Sequence, residues 1–328
     1  MTGLPKIAIT MGDPAGIGPE ICLKFLAAQH WRDRCVPQIF GDVRLLARVA
    51  EAVGIAWRDE WTHHEGWAPD TDAPIIHLDA LDPLQVTAGQ FDAATGKAAF
   101  AYLDQAISAT LDQQVTAIVT APINKAALHA AGIDYPGHTE ILTARTAAPQ
   151  SCMMLTSDQL TCSLVTTHVG HREVAGLLST DRVKQTIDLT AAAMRTLHRR
   201  EPRLAVCGLN PHAGEAGLFG NDEERRVILP AILAARDEGL DVEGPLAPDT
   251  AFLPVRRAQF DAYVCMYHDQ GLIPIKMLSF DTAVNVTLGL PIVRTSVDHG
   301  TAGEIAWTGK AQFSSLSAAV EMALRLVA

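Results

Sequence analysis

The chain has 328 residues, of which 48% are hydrophobic and 19% charged, and its formal net charge is −11. This composition excludes a disordered chain, and the acidic balance argues against a general binder of nucleic acids or of anionic membranes. At about 150 residues per domain, the length predicts two domains or lobes. The chain has no apolar run of about 18 residues, so no membrane span is expected. The 6 cysteines have no CxxC spacing, which is typical of reduced thiols, and we expect a cytoplasmic protein without a signal peptide.

Short apolar segments alternate with helical patterns along the chain. The predicted strands are Lys6–Met11, Pro37–Phe40, Pro74–Leu78, Thr116–Thr120, Ser151–Leu155, Leu160–Thr167, Arg203–Gly208, Asp261–Met266, Ala283–Leu288 and Pro291–Arg294. Helices are predicted through Ile21 to Ala28 and over Val43–Val53, Thr95–Gln113, Thr180–Arg199 (N-cap Thr180 or Asp181), 222–237 and Ser314–Val327, with a loop over 57–73. Because the strands are too apolar for alternation, the pattern predicts an α/β fold with a mainly parallel sheet. No linker divides the chain, so two interwoven lobes are expected.

Polar clusters follow six of the predicted strands directly. They are Gly12–Gly16, Ala121–Lys125, His168, Asn210–Glu215, His268–Gly271 and Thr295–Gly300. In open α/β sheets the ligand-binding crevice lies beyond the carboxyl ends of the strands, so these clusters predict one binding site.

One of the clusters contains His299, and three others contain His168, His212 and His268. Their separations match no local metal-binding motif. They could be unrelated histidines satisfied by hydrogen bonds, or three neutral imidazoles that bind Zn²⁺ or a similar divalent ion with one open position. An open position would make the ion a Lewis acid that polarises a substrate oxygen.

Other residues suit an anionic ligand. Gly12–Gly18 fits neither dinucleotide nor P-loop motifs and is either a tight turn or an anion site before a helix. His138 and Thr139 lie near a helix start, as a cap or as an anion site. Lys276 lies in an apolar stretch, where it is either functional or extends to solvent. Arg294 ends a strand, either in a structural ion pair or ready to bind a carboxylate or phosphate.

Two further features leave alternatives open. Asn285 is polar within an apolar strand and could satisfy either a backbone group or a ligand. The loop Asp298–Ala302 consists mostly of small residues and is either a turn or a site for an adenosine or pyrophosphate group.

Taken in order, nine motifs extend over essentially the whole chain. They are MGDPAGIGPE (11–20), QVTAG (85–89), APINK (121–125), YPGHTE (135–140), TTH (166–168), CGLNPHAGE (207–215), MYHDQG (266–271), VNVTLGLP (284–291) and RTSVDHGTA (294–302). Together they resemble the motifs of the 4-hydroxythreonine-4-phosphate dehydrogenase family of vitamin B6 biosynthesis.

The resemblance implies a fold similar to isocitrate and isopropylmalate dehydrogenases, with two interwoven α/β/α lobes and a cleft between them. One lobe, with the cofactor loop, is expected over 1–130 plus 270–328. The other, with metal ligands and dimer contacts, is expected over 131–269. An obligate homodimer with its active site at the subunit interface is also implied, with no nucleic acid or membrane partner.

The resemblance also assigns roles to residues. The implied divalent-metal ligands are His168, His212 and His268, the last from the partner subunit. The implied substrate-binding residues are His138, Thr139, Lys276, Asn285 and Arg294. The implied cofactor loop, which binds NAD or NADP without a GxGxxG motif, contains Ser296, Asp298, His299, Gly300 and Thr301. Other residues expected in the cleft are Asp13, Asn124, Lys125, Asp249 and Asp269.

The implied activity is metal-dependent oxidation of the 3-hydroxyl of 4-phospho-hydroxy-L-threonine by NAD(P)⁺. The resulting β-keto acid decarboxylates to 3-amino-2-oxopropyl phosphate, in pyridoxal 5′-phosphate biosynthesis. Zinc is the expected ion, with magnesium and cobalt as alternatives. Lys276 is expected to act as the base, directly or through water, and His212 is the second expected catalytic residue.

One departure from the family pattern concerns the substrate. The segment after His168 reads VGHREV (169–174), where many biosynthetic members resemble xPLRDV. D-threonate or D-erythronate 4-phosphate, or a carboxylated dihydrodiol, are therefore alternative substrates for the same chemistry. A metal-dependent phosphatase or hydrolase is a second class, which the lack of a carboxylate-rich two-metal motif disfavours. A non-catalytic binding protein is a third, which the intact motifs disfavour.

Overall fold

The structure is a computed structural model that describes residues 3–62, 72–280 and 282–328. Its strands are β1 (Lys6–Thr10), β2 (Val36–Gly41), β3 (Ile75–His77), β4 (Ala117–Thr120), β5 (Cys152–Thr156), β6 (Thr161–Leu164), β7 (Arg203–Cys207), β8 (Asp241–Leu246), β9 (Ala262–Cys265), β10 (Val284–Leu288) and β11 (Val293–Ser296). Its helices are α1 (Gly18–Ala28), α2 (Val43–Val53), α3 (Ala93–Leu111), α4 (Lys125–Ala130), α5 (His138–Arg145), α6 (His171–Leu177), α7 (Thr180–His198), α8 (Leu229–Asp237), α9 (Pro248–Ala251), α10 (Pro254–Arg257), α11 (His268–Ser279) and α12 (Ser314–Val327). Shorter helical turns lie at Asp59–Trp61, Pro83–Gln85, Pro211–Gly217, Glu224–Ile228 and Gly303–Ile305. Residues 63–71 of the predicted loop lie outside the described residues.

The predicted α/β class is confirmed, with some corrections to its elements. β8 was not predicted, because its sequence DVEGPL contains glycine and proline, which are depleted in strands. The N-cap of α7 is Ser179, whose Oγ accepts the backbone N–H of Arg182 at 3.2 Å. The predicted caps Thr180 and Asp181 are therefore wrong, by one and two positions.

The chain divides into two compact units, of which unit 1 comprises Met1–Pro149 and Leu290–Ala328. Its strands lie in the order β3-β2-β1-β4-β11, and every pair is parallel. The strands are buried along nearly their whole length, which explains the apolar sequences of β1 and β4, whereas β11 (VRTS) buries polar side chains. The loops that follow β1, β4 and β11 therefore leave the sheet at one edge.

Unit 2 comprises Gln150–Gly289 and lies in the sequence between the two segments of unit 1. Its strands lie in the order β10-β5-β6-β9-β7-β8. β5 is antiparallel to β10 and to β6, whereas the remaining pairs are parallel. Its core includes Leu155, Tyr263, Leu272 and Ile275. The boundaries of the units differ from those expected near residues 130 and 270.

All six cysteines lie among the described residues, where they are buried and carry free thiols. Within the same part of the chain, no helix combines the length and the apolar character needed to cross a lipid bilayer.

Candidate active site

The three histidine-bearing segments follow neighbouring parallel strands of unit 2. β6 leads to His168, β9 to His268 and β7 to His212. Because β9 pairs in parallel with both β6 and β7, the three segments leave the sheet at the same edge. The structure thus orders them His168, His268, His212, an order that differs from their order in the sequence.

His168 and His268 lie beside each other. Their ring centroids are 5.8 Å apart, and both line a cavity of about 170 Å³ together with His171 and Tyr267. Nδ1 of His268 is 2.7 Å from Oδ1 of Asp269, and in the neutral ring donation from Nδ1 to this carboxylate leaves Nε2 as an acceptor. The same hydrogen bond lowers the pKa of Asp269, because it favours the carboxylate form.

This pair of imidazoles fits a divalent metal ion. Two imidazoles on one zinc ion, with bonds of about 2.1 Å, have ring centroids roughly 5 to 6 Å apart, as His168 and His268 have. The Asp269 carboxylate gives His268 the support that metal-bound histidines commonly receive. Among the described residues of one chain, however, the nitrogens of all three histidines do not approach within 4.8 Å of one another. A three-histidine site within one chain therefore requires a shift of the His212 turn, whereas a site shared by two chains takes one of the three histidines from the second chain.

His212 lies on a left-handed turn. Residues 212–216 have φ angles between 40° and 81°, although only Gly214 among them is a glycine. Left-handed backbone costs a non-glycine residue roughly 1–2 kcal/mol, so the surrounding structure must hold the turn in place. Strain of this kind is concentrated at functional sites, which agrees with a functional role for His212.

A different cluster, Asp42, His77 and Asp79, has ligand atoms within 4.8 Å of one another. The Asp42 carboxylate already caps α2 by accepting the backbone N–H of Arg44 at 2.8 Å. The Arg44 guanidinium also pairs with both Asp42 and Asp79, and Nδ1 of His77 accepts a backbone N–H. Because a guanidinium supplies the positive charge here, we assign helix capping rather than metal binding to this cluster.

Arg294 is a buried cation inside β11 of unit 1, and the prediction that it ends a strand is wrong because the strand continues to Ser296. It is only 2% exposed, and its Nη2 donates to Oγ1 of Thr120 at 2.7 Å. Burial lowers the pKa of Arg294 to about 9, while the charge of Glu140 opposes this effect. The guanidinium therefore keeps its charge at neutral pH, where it is suited to bind a carboxylate or a phosphate.

His138, the first residue of α5, faces the same positive charges. Burial of its ring holds its pKa well below the ordinary value, and the charges of Arg294 and Lys125 add to this effect. Nε2 of His138 is enclosed and has no hydrogen-bond partner among the described residues. A neutral imidazole beside two cations can donate a hydrogen bond to an anionic oxygen. Thr139 follows it in the first turn of α5.

The remaining expected substrate and cleft residues of unit 2 lie on separate elements. Asn285 lies in β10, where its Oδ1 is buried without a hydrogen-bond partner in the described part of the chain. Lys276 is half-buried in the last turn of α11. Asp249 is exposed on α9, which packs against the turn that carries His212.

The expected cofactor loop follows β11 and packs against the glycine-rich loop after β1. The N–H of Ile17 donates to the carbonyl of Thr301 at 3.0 Å, and a Cβ atom on Gly16 would lie 3.0 Å from the same oxygen. Nδ1 of His299 is 3.1 Å from the carbonyl of Gly300, whereas its Nε2 is buried without a partner among the described residues. The loop is therefore anchored on one side and keeps an unused imidazole nitrogen on His299.

Three expected site residues make contacts that hold loops in place. Oγ of Ser296 donates to a neighbouring carbonyl at 2.7 Å, and the N–H of Asp298 donates to a serine hydroxyl of α12 at 3.4 Å. Oδ1 of Asn124 caps α4 by accepting the N–H of Ala127 at 3.0 Å. These contacts give each residue a structural function, whether or not it also binds a ligand.

Asp13 is a fully buried carboxyl group in the loop after β1. Its Oδ1 accepts the N–H of Ala15 at 3.0 Å, and its Oδ2 accepts the hydroxyl of Thr95 at 3.4 Å. Burial, assisted by the nearby charge of Asp92, raises the pKa of Asp13 to about 6, although its hydrogen bonds to Ala15 and Thr95 act in the opposite direction. The folded protein therefore binds this proton more tightly than the unfolded chain does.

Asp13→Asn is expected to flatten the dependence of stability on pH. The stabilising contribution of protonated Asp13 is present below pH 4 and is lost as the pH rises through about 6. Because Oδ1 of asparagine can still accept the N–H of Ala15, the variant should be more stable than the wild type at pH 8, by up to roughly 2–3 kcal/mol. Urea unfolding at pH 5 and pH 8 measures this difference. The exposed Asp158→Asn variant is the control, and equal pH slopes for the two variants would contradict the prediction.

Sequence reasoning did not assign several residues that organise the site. Gln270 lies inside the motif MYHDQG, and Thr120 ends the strand before APINK, so their proximity to candidate site residues was a signal in the sequence for both. His171 lines the same cavity as His168 and His268, and its segment departs from the family pattern. Glu224, which contacts the backbone beside the His212 turn, has no signal in the sequence around it.

These features define an α/β metabolic enzyme, and comparison with known proteins narrows the class to dehydrogenases. Residues 33–323 match the model of the family described as pyridoxal phosphate biosynthetic protein PdxA. The chain belongs to this family, which confirms the resemblance drawn from the motifs.

Named relatives cover nearly the full chain. The 4-hydroxythreonine-4-phosphate dehydrogenase of Geobacter metallireducens is 45% identical, over 98% of this chain and 95% of that protein. The D-threonate 4-phosphate dehydrogenase of Salmonella typhimurium is also 45% identical, over 98% of each chain. The crystal structure of 4-hydroxythreonine-4-phosphate dehydrogenase from Klebsiella pneumoniae matches with a TM-score of 0.86 at 40% identity, over 99% of this chain and 100% of that one.

Proposed function

We propose that the protein oxidises the 3-hydroxyl of 4-phospho-hydroxy-L-threonine with NAD⁺ or NADP⁺. The β-keto acid that results loses carbon dioxide to give 3-amino-2-oxopropyl phosphate, in the pathway to pyridoxal 5′-phosphate. Membership of the PdxA family and the name of the Geobacter relative support this activity. The observation that carries the proposal is the buried Arg294, beside His138 and Lys125, because an acidic chain needs such local positive charge to hold a phosphorylated acid.

In this proposal the cations of unit 1 bind the anionic groups of the substrate. Arg294 offers a guanidinium fork, and His138 offers a neutral ring whose Nε2 has no partner among the described residues. Thr139 adds a hydroxyl in the first turn of α5, where the helix dipole also favours an anion. Asn285 contributes the buried amide oxygen described above, which can accept from a hydroxyl or ammonium group.

A divalent ion is part of the proposal, with zinc preferred and magnesium or cobalt as alternatives. His168, His212 and the partner's His268 would hold it, with His212 also in the catalytic set, and the ion would supply Lewis-acid polarisation of the substrate oxygens. We assign the acceptance of the hydroxyl proton to Nζ of Lys276, directly or through water. Asp269 supports this assignment of ligands because it orients the imidazole of His268.

The dinucleotide is proposed to bind along the loop that contains Ser296, Asp298, His299, Gly300 and Thr301. Bound NAD(P)⁺ would accept the hydride. Nε2 of His299 supports this site, because it is buried without a partner among the described residues and can bond to a ligand. A side chain on Gly300 would meet no atom within 4 Å, so the backbone there is open to approach.

We further propose a homodimer located in the cytoplasm. α11 begins with His268, and its outer face exposes Ile273 and Met277, followed by Phe280, which are 58%, 82% and 69% accessible. An apolar stripe of this kind is typical of a surface that another chain covers. Six buried free thiols support a reducing compartment.

D-threonate 4-phosphate is the second candidate substrate. The Salmonella relative named for this activity is as similar to the chain as the Geobacter relative is. His171 also places an imidazole in the wall of the histidine cavity, where the biosynthetic pattern has leucine.

A substrate panel tests the proposed function. The purified protein is assayed for NAD(P)H formation with 4-phospho-hydroxy-L-threonine, D-threonate 4-phosphate, D-erythronate 4-phosphate and a carboxylated dihydrodiol, each with and without a chelator. We expect the highest kcat/KM with 4-phospho-hydroxy-L-threonine and loss of turnover on chelation. A higher kcat/KM with another alcohol would overturn the substrate, and full turnover after exhaustive chelation would overturn the metal. Release of phosphate without NAD(P)H would instead indicate a phosphatase.

A further inference from the structure

A buried side chain, Gln270, joins two of the histidine-bearing segments inside unit 2. It is 6% exposed, and its Oε1 accepts the N–H of Met266 at 2.6 Å. Its Nε2 donates to the carbonyl of Gly208 at 2.7 Å. Gln270 therefore connects the end of β9, just before His268, with the end of β7, just before the His212 turn.

The third histidine segment is attached to the same point. Oγ1 of Thr166 donates to the carbonyl of Met266 at 2.7 Å, and the backbone N–H of Thr166 donates to the same oxygen at 3.2 Å. Thr166 precedes His168 by two residues. Met266 is thus bonded through its N–H to Gln270 and through its carbonyl to Thr166.

On the other side, Gly208 is held firmly before the left-handed turn begins. Its N–H donates to the carbonyl of Leu246 on β8 at 2.8 Å. Oε1 of the buried Glu224 accepts the N–H groups of Leu209 and Asn210 at 2.9 and 2.7 Å. The strained turn therefore begins after a residue whose backbone is held in place, Gly208, and Gln270 forms a hydrogen bond with that residue.

We propose that Gln270 is a positioning residue that sets the His268 end of α11 relative to the His212 turn. This inference rests on the proposed metal site, because it predicts that the side chain matters for metal affinity. In this role, Gln270 contacts neither substrate nor cofactor. If the partner's His268 completes each site, the Gln270 of one chain positions ligands for both sites of the dimer.

The test is a titration of metal-free dimeric protein with Co²⁺, in which the visible absorption of bound Co²⁺ measures the binding affinity. Gln270→Met keeps the size of the side chain but removes both hydrogen bonds of the amide, and we expect it to weaken Co²⁺ binding by about 10-fold or more. Gln159→Leu is the matched control, because Nε2 of Gln159 donates to the carbonyl of Leu278 at the opposite end of α11. The Co²⁺ affinity of the control should stay within about twofold of the wild type, because the hydrogen bonds of Gln270 to Met266 and Gly208 remain intact.

Thr166→Val provides a second variant in case Gln270→Met does not fold. It removes one hydrogen bond to Met266 with little change in shape, and we expect a several-fold loss of Co²⁺ affinity with a normal thermal transition. Unchanged affinity in a folded Gln270→Met or Thr166→Val protein would overturn the inference, while the metal site would stand. Absence of a Co²⁺ spectrum in the wild type would overturn both the metal site and the inference.

Discussion

A mixed dimer of one His212→Ala chain and one His268→Ala chain is expected to regain about half of the wild-type activity, since one of its two shared sites is complete. Each homodimer alone should be inactive, because every one of its sites lacks a ligand. In the proposed arrangement, a site combines His168 and His212 of one chain with the partner's His268. The mixed dimer therefore contains one site with all three ligands and one site that lacks two.

Co-expression with two different affinity tags isolates the mixed dimer for this measurement. If one chain supplies all three ligands, both sites of the mixed dimer lack a ligand and activity stays at the level of the homodimers. The proximity of His168 and His268 within one chain makes this alternative physically reasonable, so the experiment decides between two defined geometries. A dimer of His212→Ala with wild type is the control, and it should show about half activity in either case.

The positions of the candidate site residues at the ends of strands could be predicted from the sequence to a large extent. Apolar runs ending in His168, His212 and His268 predict strands with histidines at their carboxyl ends, and the structure has strands before all three. What the sequence lacks is the order of the strands. That order depends on pairing between segments far apart in the chain, β6 with β9 and β9 with β7, for which no local pattern exists.

The supporting contacts could not be predicted for a similar reason. Glu224 reaches the backbone of Leu209 and Asn210 from the helical turn Glu224–Ile228, and only the folded chain brings them together. The left-handed turn at His212 contradicts local preference, because only one of its five residues is glycine. The sheet is mainly parallel, as predicted, and β5 is the exception. Its antiparallel partner β6 follows it directly in the sequence, whereas its pairing with β10 joins segments far apart in the chain, for which no local pattern exists.

The formal charge of −11 gives the remaining cations a particular importance. A phosphorylated acid and a dinucleotide are both anions, and the overall field of the chain repels them. Attraction must come from local groups, and Arg294 lies deepest among the candidates, beside Lys125 and the neutral ring of His138. Two roles for Arg294 remained open in the sequence, a structural ion pair and a ligand for an anion.

Arg294→Met is expected to separate these roles, because it should weaken substrate binding without weakening the fold. Truncating one partner of a buried charged contact costs roughly 2–5 kcal/mol, so KM for the phosphorylated substrate should rise about 30-fold or more. Burial disfavours the charged form of Arg294, as its lowered pKa indicates, so methionine should leave the free energy of unfolding unchanged or raise it. Steady-state kinetics and urea unfolding of the same preparation measure both effects.

Arg145→Met is the matched control, since Arg145 lies on α5 but is exposed and pairs with Asp104. It should leave KM unchanged and alter stability only slightly, as exposed ion pairs contribute little. The opposite result for Arg294→Met, a clear loss of stability with an unchanged KM, would assign Arg294 to a structural ion pair. In that case binding of the anionic substrate would depend on Lys125 and on other groups, and the charge of Arg294 would serve the fold alone.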